Sequence, residues 1–358
     1  MKDKKALVIS GIHWNATWQR HQEFSSILAN NGYQVDFLQA NKTTIPSLGK
    51  IKNILVNKNK NKNKNKNKNK TPEKIKIKTS WQIPPIKFSY YINRVLSIFF
   101  HRDILSKEYD IIISYVPTDL SVYLLKKNNN KFIFDCVRAF SIWSGYSTSL
   151  YKNEKYIYKN SKNIICDSFF IKDIYLKNNK VTQIITPIEA LQIKPREINE
   201  IKSICYFGSI SKHIDISLFE KILERNIDIY FWGVVDKDIT LPNSIKIMGY
   251  ESDQNILAKK ILEKSDAIII PYIGNMDGVF PAKLILSISM EIPIFISSFF
   301  DSEKLKEILY VYNSHDDFFN LLDGFQPQEF VEKNKVAQFF LHENNSSKPL
   351  LQLIKNLN

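Results

Sequence analysis

Apolar positions in this chain come in unbroken runs of strand length, separated by stretches where they recur at helical spacing. Residues 4–10 form the first run, a polar and aromatic loop follows at 11–20, and Phe24, Ile27 and Leu28 then fall on one helical face. The pattern predicts a strand at 4–10, a helix at 18–30 capped by Thr17 and ended by Asn31-Gly32, and a strand at 33–38. The beat continues with strands at 110–115, 131–136, 163–167 and 182–186, and with helices at 88–100, 119–127, 151–159 and, capped by Ser168, up to 176. Residues 187–201, with Pro187, Pro195 and alternating charge, read as a link. Beyond it come strands at 203–207, 227–232 and 245–248, a run from Asp266 to Pro271-Tyr272, and another after Pro293. Helices are predicted at 214–225, at 253–264, from Pro281, and along a tail from about 328 to 357.

Unbroken apolar strands alternating with helices are the mark of parallel sheets covered on both faces. The expected class is therefore α/β, with two doubly wound Rossmann-like domains at 1–190 and 202–340 and a final helix at 341–358 returning towards the first. In such domains ligands sit beyond the carboxyl ends of the strands, where His13, Trp14, Trp18 and Arg20 fall. In the second domain, Pro281 suits a first helical turn because its missing N–H has no partner there anyway. Lys283 then lies in that turn, where a cation opposes the helix dipole unless an anion is bound. A bound phosphate and a merely solvated lysine are the two readings of that position.

Composition narrows this further. With 358 residues, 44% of them hydrophobic, the chain has enough apolar mass for two cores. Cys136, Cys166 and Cys205 lie in or beside apolar runs without paired or metal-ligand spacing, and read as reduced core residues of a cytosolic protein. Met1-Lys-Asp-Lys-Lys enters the first strand without a signal-cleavage pattern, and no apolar run approaches the length of a membrane span.

The net charge of +14 is local. Residues 41–80 hold 13 lysines against one acid, Glu73, and so carry +12, leaving +2 for the rest. Seven Asn-Lys pairs fill Asn57 to Lys70, a tract with no apolar face to bury. It reads as a solvated insertion or as a contact for an anionic membrane surface. Without arginine or interleaved aromatics, it does not point to nucleic acid. The helix expected at 88–100 has a broad apolar face, fitting either a core or a membrane interface.

The ordered set Tyr206-Phe207-Gly208-Ser209, Asp215, Gly249-Tyr250, Ser265-Asp266, Pro271-Tyr272 and Pro281-Ala282-Lys283-Leu284 resembles the GT-B glycosyltransferases. It is most similar to family 4 and to the teichuronic acid and xanthan glucuronosyl transferases. Trp14, Trp18 and Gln19-Arg20-His21-Gln22 resemble that group's Trp-x-x-x-x-Gln-Arg-Pro-Gln opening, with His21 in the proline's place. The chain departs from the pattern at Leu286, where the group has a ribose-binding glutamate, at Glu291, where it has glycine, and at Arg138, where it has an acid.

The resemblance implies a metal-independent transferase with a nucleotide sugar, UDP-linked, as donor substrate and no separate cofactor. The acceptor would be a glycan, lipid-linked or growing, at the inner face of the cell membrane, with peripheral contact through residues 41–100. Donor residues would be Gly208, Ser209, Lys212, Tyr250, Tyr272, Lys283 and, for the ribose in place of the lost glutamate, Asp277. Positive groups there would meet the charge developing on the departing diphosphate. Asp135 and His13 are the candidate bases if the reaction inverts configuration, although Asp135 equally fits a structural cap after a strand. Trp14, Trp18, Arg20 and Arg138 are the acceptor candidates, the two tryptophans reading equally as packing against the first helix. No histidine cluster at metal-ligand spacing suggests a metal. The departures at 286, 291 and 138 keep a catalytically degenerate partner subunit in view, and the shared two-domain fold keeps a nucleotide-sugar epimerase.

Overall fold

The apolar runs become the inner strands of two parallel sheets. The computed structural model describes residues 4–16, 18–40, 42–43, 72–82, 90–142, 146–189, 191 and 196–357. The chain forms one compact unit of Met1–Cys136, Phe140–Ile164 and Gln352–Asn358, and another of Val137–Ala139 and Ile165–Leu351.

The first sheet uses β1 (Lys4–Ile9), β2 (Tyr33–Leu38), β4 (Ile75–Lys78), β6 (Ile111–Ser114), β7 (Phe132–Asp135), β8 (Asn163–Cys166) and β9 (Val181–Gln183). Their order is β4-β2-β1-β6-β7-β8-β9, while β3 (Lys42–Thr43) and β5 (Trp81–Gln82) pair separately. The strands β6 and β7 are buried at every position, which is why their sequences Ile-Ile-Ile-Ser and Phe-Ile-Phe-Asp carry no alternation.

The second sheet runs β12-β11-β10-β13-β14-β15, every neighbour parallel. Its strands are β10 (Ser203–Phe207), β11 (Asp228–Trp232), β12 (Lys246–Gly249), β13 (Ala267–Ile270), β14 (Ile294–Ser297) and β15 (Tyr310–Tyr312). Its core gathers Ile204, Tyr206, Leu218, Phe231, Ile269, Phe295 and Phe318. The expected α/β class with two doubly wound parallel sheets therefore holds.

Some elements differ from expectation. The first helix is Arg20–Asn30 with Gln19 as its cap, and Thr17 lies outside the described residues. Instead of a full helix up to 176, Ile171–Tyr175 is one π-helical turn. The tail is two helices, Pro327–Asn344 and Lys348–Lys355. The Asn-Lys tract lies outside the described residues.

The helix expected at 88–100 is Tyr90–Leu105. His101 and Ile104 are buried, whereas Val95, Ile98 and Phe99 are 67%, 61% and 64% exposed. The core reading is corrected for that stripe, which presents three apolar side chains at i, i+3 and i+4 to solvent. Among the described residues no helix is long and apolar enough to cross a membrane.

Candidate functional site

The carboxyl edge of the second sheet is unusually bare of side chains. Gly208 follows β10, Gly233 follows β11, and Gly249 closes β12. The three edges are stitched together, the Gly208 N–H donating to Trp232 O at 2.8 Å and the Gly233 N–H to Gly249 O at 2.9 Å. Gly208 has φ +113° and Gly233 has φ +154°, conformations that other residues rarely adopt. A Cβ on Gly233 would sit 1.9 Å from the Gly208 carbonyl oxygen, so no side chain fits there.

Lys283 reaches this edge. A Cβ built on Gly208 would lie 3.0 Å from its Nζ. The ammonium sits 3.9 Å from the centre of the Tyr206 ring, with Tyr272 at 5.7 Å and Phe207 at 5.9 Å. Burial among these rings pushes its pKa down to about 7. The turn after Gly208 is held from both sides. Tyr206 donates its hydroxyl to Ser209 O at 2.8 Å. Further along, Ile214 bridges Tyr272, Asp215 N–H donates to Pro271 O, and the Asp215 carboxylate pairs with His315 at 2.8 Å.

One expectation needs correcting. Lys283 is not inside a helical first turn but caps a helix of only six residues, Leu284–Ser289. The anion argument therefore rests on the ammonium and the glycine turn, not on a helix dipole.

Of the expected donor residues, the structure brings together Gly208, Ser209, Tyr272 and Lys283. Lys212 is exposed in the same turn, and Tyr250 is exposed after β12, two strands away from β10. Asp277 accepts from Phe300 N–H at 3.0 Å, so one of its oxygens already serves the backbone. Tyr206 went unassigned in the sequence reading, although its place two residues before Gly208 in an inner strand was the available signal. Asp301 was missed too: buried, it accepts from Ser168 Oγ, Phe169 N–H and Phe170 N–H, and burial pushes its pKa up to about 6.

The departures have physical counterparts. Leu286 is buried in the short helix, so no carboxylate is available from that position. Glu291 has φ +54°, a left-handed conformation that suits the glycine of the resembling group and costs other residues about 1 kcal/mol. Its carboxylate accepts from Asn334 at 3.2 Å. Glu291→Gly is expected to raise stability by up to about 1 kcal/mol, measured as a higher urea midpoint at unchanged m-value.

In the first unit the Trp-Gln-Arg-His-Gln stretch builds its own scaffold. Gln22 donates to Trp14 O at 3.2 Å and accepts from Gln19 N–H, and Trp14 N–H donates to the Gln39 side chain. Trp14 is wholly buried, edge-on to Phe37 at 5.0 Å and to Trp18 at 5.7 Å. Trp18 is half-buried and donates its indole N–H to Glu23 at 2.7 Å. The packing reading thus replaces acceptor stacking for Trp14. His21 stacks on Tyr115 at 3.8 Å with Nδ1 2.9 Å from Ser10 Oγ. Burial, helped by the Arg20 charge, holds its pKa down at about 3, so it is neutral.

Arg20 and Asp135 correct two further expectations. Arg20 Nε lies 2.7 Å from Asp135 Oδ2, and the side chains are 4% and 0% exposed. A carboxylate buried against a guanidinium is not placed as a solvent-facing base, and Arg20 is not free to meet an acceptor at the surface. Burial pushes the Asp135 carboxyl up while Arg20 opposes it. His13 is exposed in the loop after β1, and Arg138 is half-buried in the segment Val137–Ala139. Among the described residues no cluster of three or more His, Cys, Asp or Glu is arranged to hold a metal.

Solved structures share this fold. HepE of Anabaena, in complex with UDP and glucose, is similar with a TM-score of 0.67 at 11% identity, over 99% of this chain and 98% of that one. WaaG, a glycosyltransferase involved in lipopolysaccharide biosynthesis, gives 0.62 at 10% identity over 98% of both chains. A glycosyltransferase from Rickettsia africae gives 0.61 at 14% identity over 100% of this chain and 99% of that one. At such identities the likeness establishes the fold, the GT-B fold of glycosyltransferases. No protein-family model and no curated protein sequence matches the chain.

Proposed function

We propose that the chain is a glycosyltransferase of the family 4 type, moving a sugar from a nucleotide sugar, UDP-linked, to a lipid-linked or growing surface glycan. One observation carries this reading: an ammonium held beside a side-chain-free glycine turn at the carboxyl edge of a parallel sheet, where such folds take their ligands. Similar solved structures in complex with UDP and with UDP-glucose support the choice of donor. In the transfer, the bond from the anomeric carbon to the diphosphate oxygen breaks, the acceptor hydroxyl oxygen takes its place, and the hydroxyl proton is released to solvent. Negative charge gathers on the departing diphosphate, and the Lys283 ammonium offsets it. The donor enters as a substrate, and no resident cofactor takes part. Calorimetric titration of UDP, GDP, ADP and CMP tests the reading. Tight binding of UDP alone supports it, and binding of none rejects it.

Buried Leu286 favours a second reading, a degenerate subunit that accompanies an active transferase. That subunit would bind no nucleotide in the same titration.

Membrane contact belongs to the proposal as well. The exposed stripe of Val95, Ile98 and Phe99 and the lysines of residues 41–80 match an apolar and anionic interface. Affinity for vesicles containing anionic lipid, measured by co-sedimentation, is expected to fall roughly 10- to 150-fold in Phe99→Ser, since a buried aromatic contributes about 1.5–3 kcal/mol. Deleting 57–70 should weaken binding without unfolding the protein. Unchanged sedimentation of both variants rejects the contact.

A further inference from the structure

The donor reading leaves unexplained why a tyrosine stands under the cation. Tyr206 is 1% exposed and sits in the core with Phe231 stacked at 6.0 Å and Phe219 at 6.0 Å. A phenylalanine would fill that space equally well. Yet the hydroxyl reaches the Ser209 carbonyl at 2.8 Å, and the ring face lies 3.9 Å beneath the Lys283 ammonium. One side chain therefore touches both parts of the proposed phosphate site, the turn and the cation.

We propose that Tyr206 is a positioning residue for the donor diphosphate: its ring face holds the Lys283 ammonium in place and its hydroxyl fixes the Gly208-Ser209 turn, so both point at the same anion. This rests on the donor reading given above. An ammonium drawn away from water is stabilised by the negative face of an aromatic ring. A buried phenol left without an acceptor is costly, so the hydroxyl keeps the Ser209 carbonyl where it is. The turn then keeps its shape without having to be ordered at the moment of binding.

The environment of the ammonium makes the idea measurable. The titratable groups facing it are the Cys205 thiol and the Tyr206 and Tyr272 phenols, each pushed upward by burial and uncharged near neutrality. Among these four side chains, Lys283 is the one that burial brings towards neutrality. The attraction of the ring face for the ammonium corresponds to roughly 0.5–1.5 pH units of the Lys283 titration.

The test measures UDP-glucose affinity from pH 6 to 9 in wild type, Tyr206→Phe and Tyr206→Leu, a range in which the diphosphate diester itself does not titrate. The Lys283 ammonium is followed separately by NMR in the free proteins, and folding is checked by thermal melting. Tyr206→Phe keeps the ring, so its pH midpoint should match wild type while affinity falls about three- to tenfold for the lost hydrogen bond. Tyr206→Leu should move both the binding midpoint and the free Lys283 titration downward by roughly 0.5–1.5 pH units. Should the leucine variant fail to fold, the affinity of Tyr206→Phe still decides. Wild-type affinity in Tyr206→Phe overturns the role of the hydroxyl, and an unmoved Lys283 titration in folded Tyr206→Leu overturns that of the ring. Failure of the wild type to bind any nucleotide overturns the donor reading and this proposal together, whereas binding that ignores Tyr206 overturns this proposal alone.

Discussion

Asp135→Ala is expected to lower the free energy of unfolding by about 3–5 kcal/mol, because it removes the carboxylate that pairs with the buried Arg20 guanidinium. The loss exceeds that of an ordinary hydrogen bond since the remaining charge has no exposure through which water can solvate it. Arg20 is further committed by packing: its guanidinium lies 4.1 Å from the Phe24 ring. Combining Arg20→Met with Asp135→Leu should recover much of the loss, as an apolar pair of similar volume has no charge to desolvate. Urea unfolding of both singles and the double gives the coupling energy directly. The outcome also separates the two roles considered for Asp135. A structural partner loses stability in both singles. A general base loses kcat in Asp135→Asn while the protein stays as stable as wild type.

The sheets were readable because inner parallel strands are buried on both faces and so appear as unbroken apolar runs, such as Ile111–Ser114 and Ala267–Ile270. The edge strand Ile75–Lys78 was hidden for the opposite reason. It alternates isoleucine with lysine inside a lysine-rich stretch, and only its pairing with Tyr33–Leu38 fixes it as a strand. The strand Tyr310–Tyr312 is three residues long, too short for a period to show.

At the site, Lys283 and Gly208 could be picked out from local rules, since a lysine after a helix-starting proline and a glycine after a strand are odd on their own terms. The Arg20–Asp135 pair could not, as 115 residues separate its members and only tertiary structure brings the start of the helix Arg20–Asn30 to the end of the strand Phe132–Asp135. Aromatic residues in a polar loop left both acceptor stacking and packing against the first helix open for Trp14. Its burial against Phe37 is a tertiary fact that no local pattern encodes.

Lys283→Ala should weaken UDP binding by roughly 30- to 150-fold, the equivalent of about 2–3 kcal/mol for a charge-assisted contact to a diphosphate. Turnover should fall further than affinity, because the charge on the diphosphate grows as the glycosidic bond breaks. The pH dependence supplies the sign. In the free protein burial places the Lys283 titration at about 7, so below that pH the ammonium is ready and affinity is flat. As pH rises through 7 the free protein loses the proton that the bound state needs, and affinity falls. In Lys283→Ala this alkaline decline disappears together with the missing affinity. The lysine has to be held in an apolar setting to be near its ring partner and the bare glycine turn, and the same setting limits how alkaline the solution can become before the site loses its charge. Calorimetry with UDP-glucose across that range checks both effects in one series. A decline that persists in the alanine variant would assign the proton to another group and remove Lys283 from the donor site.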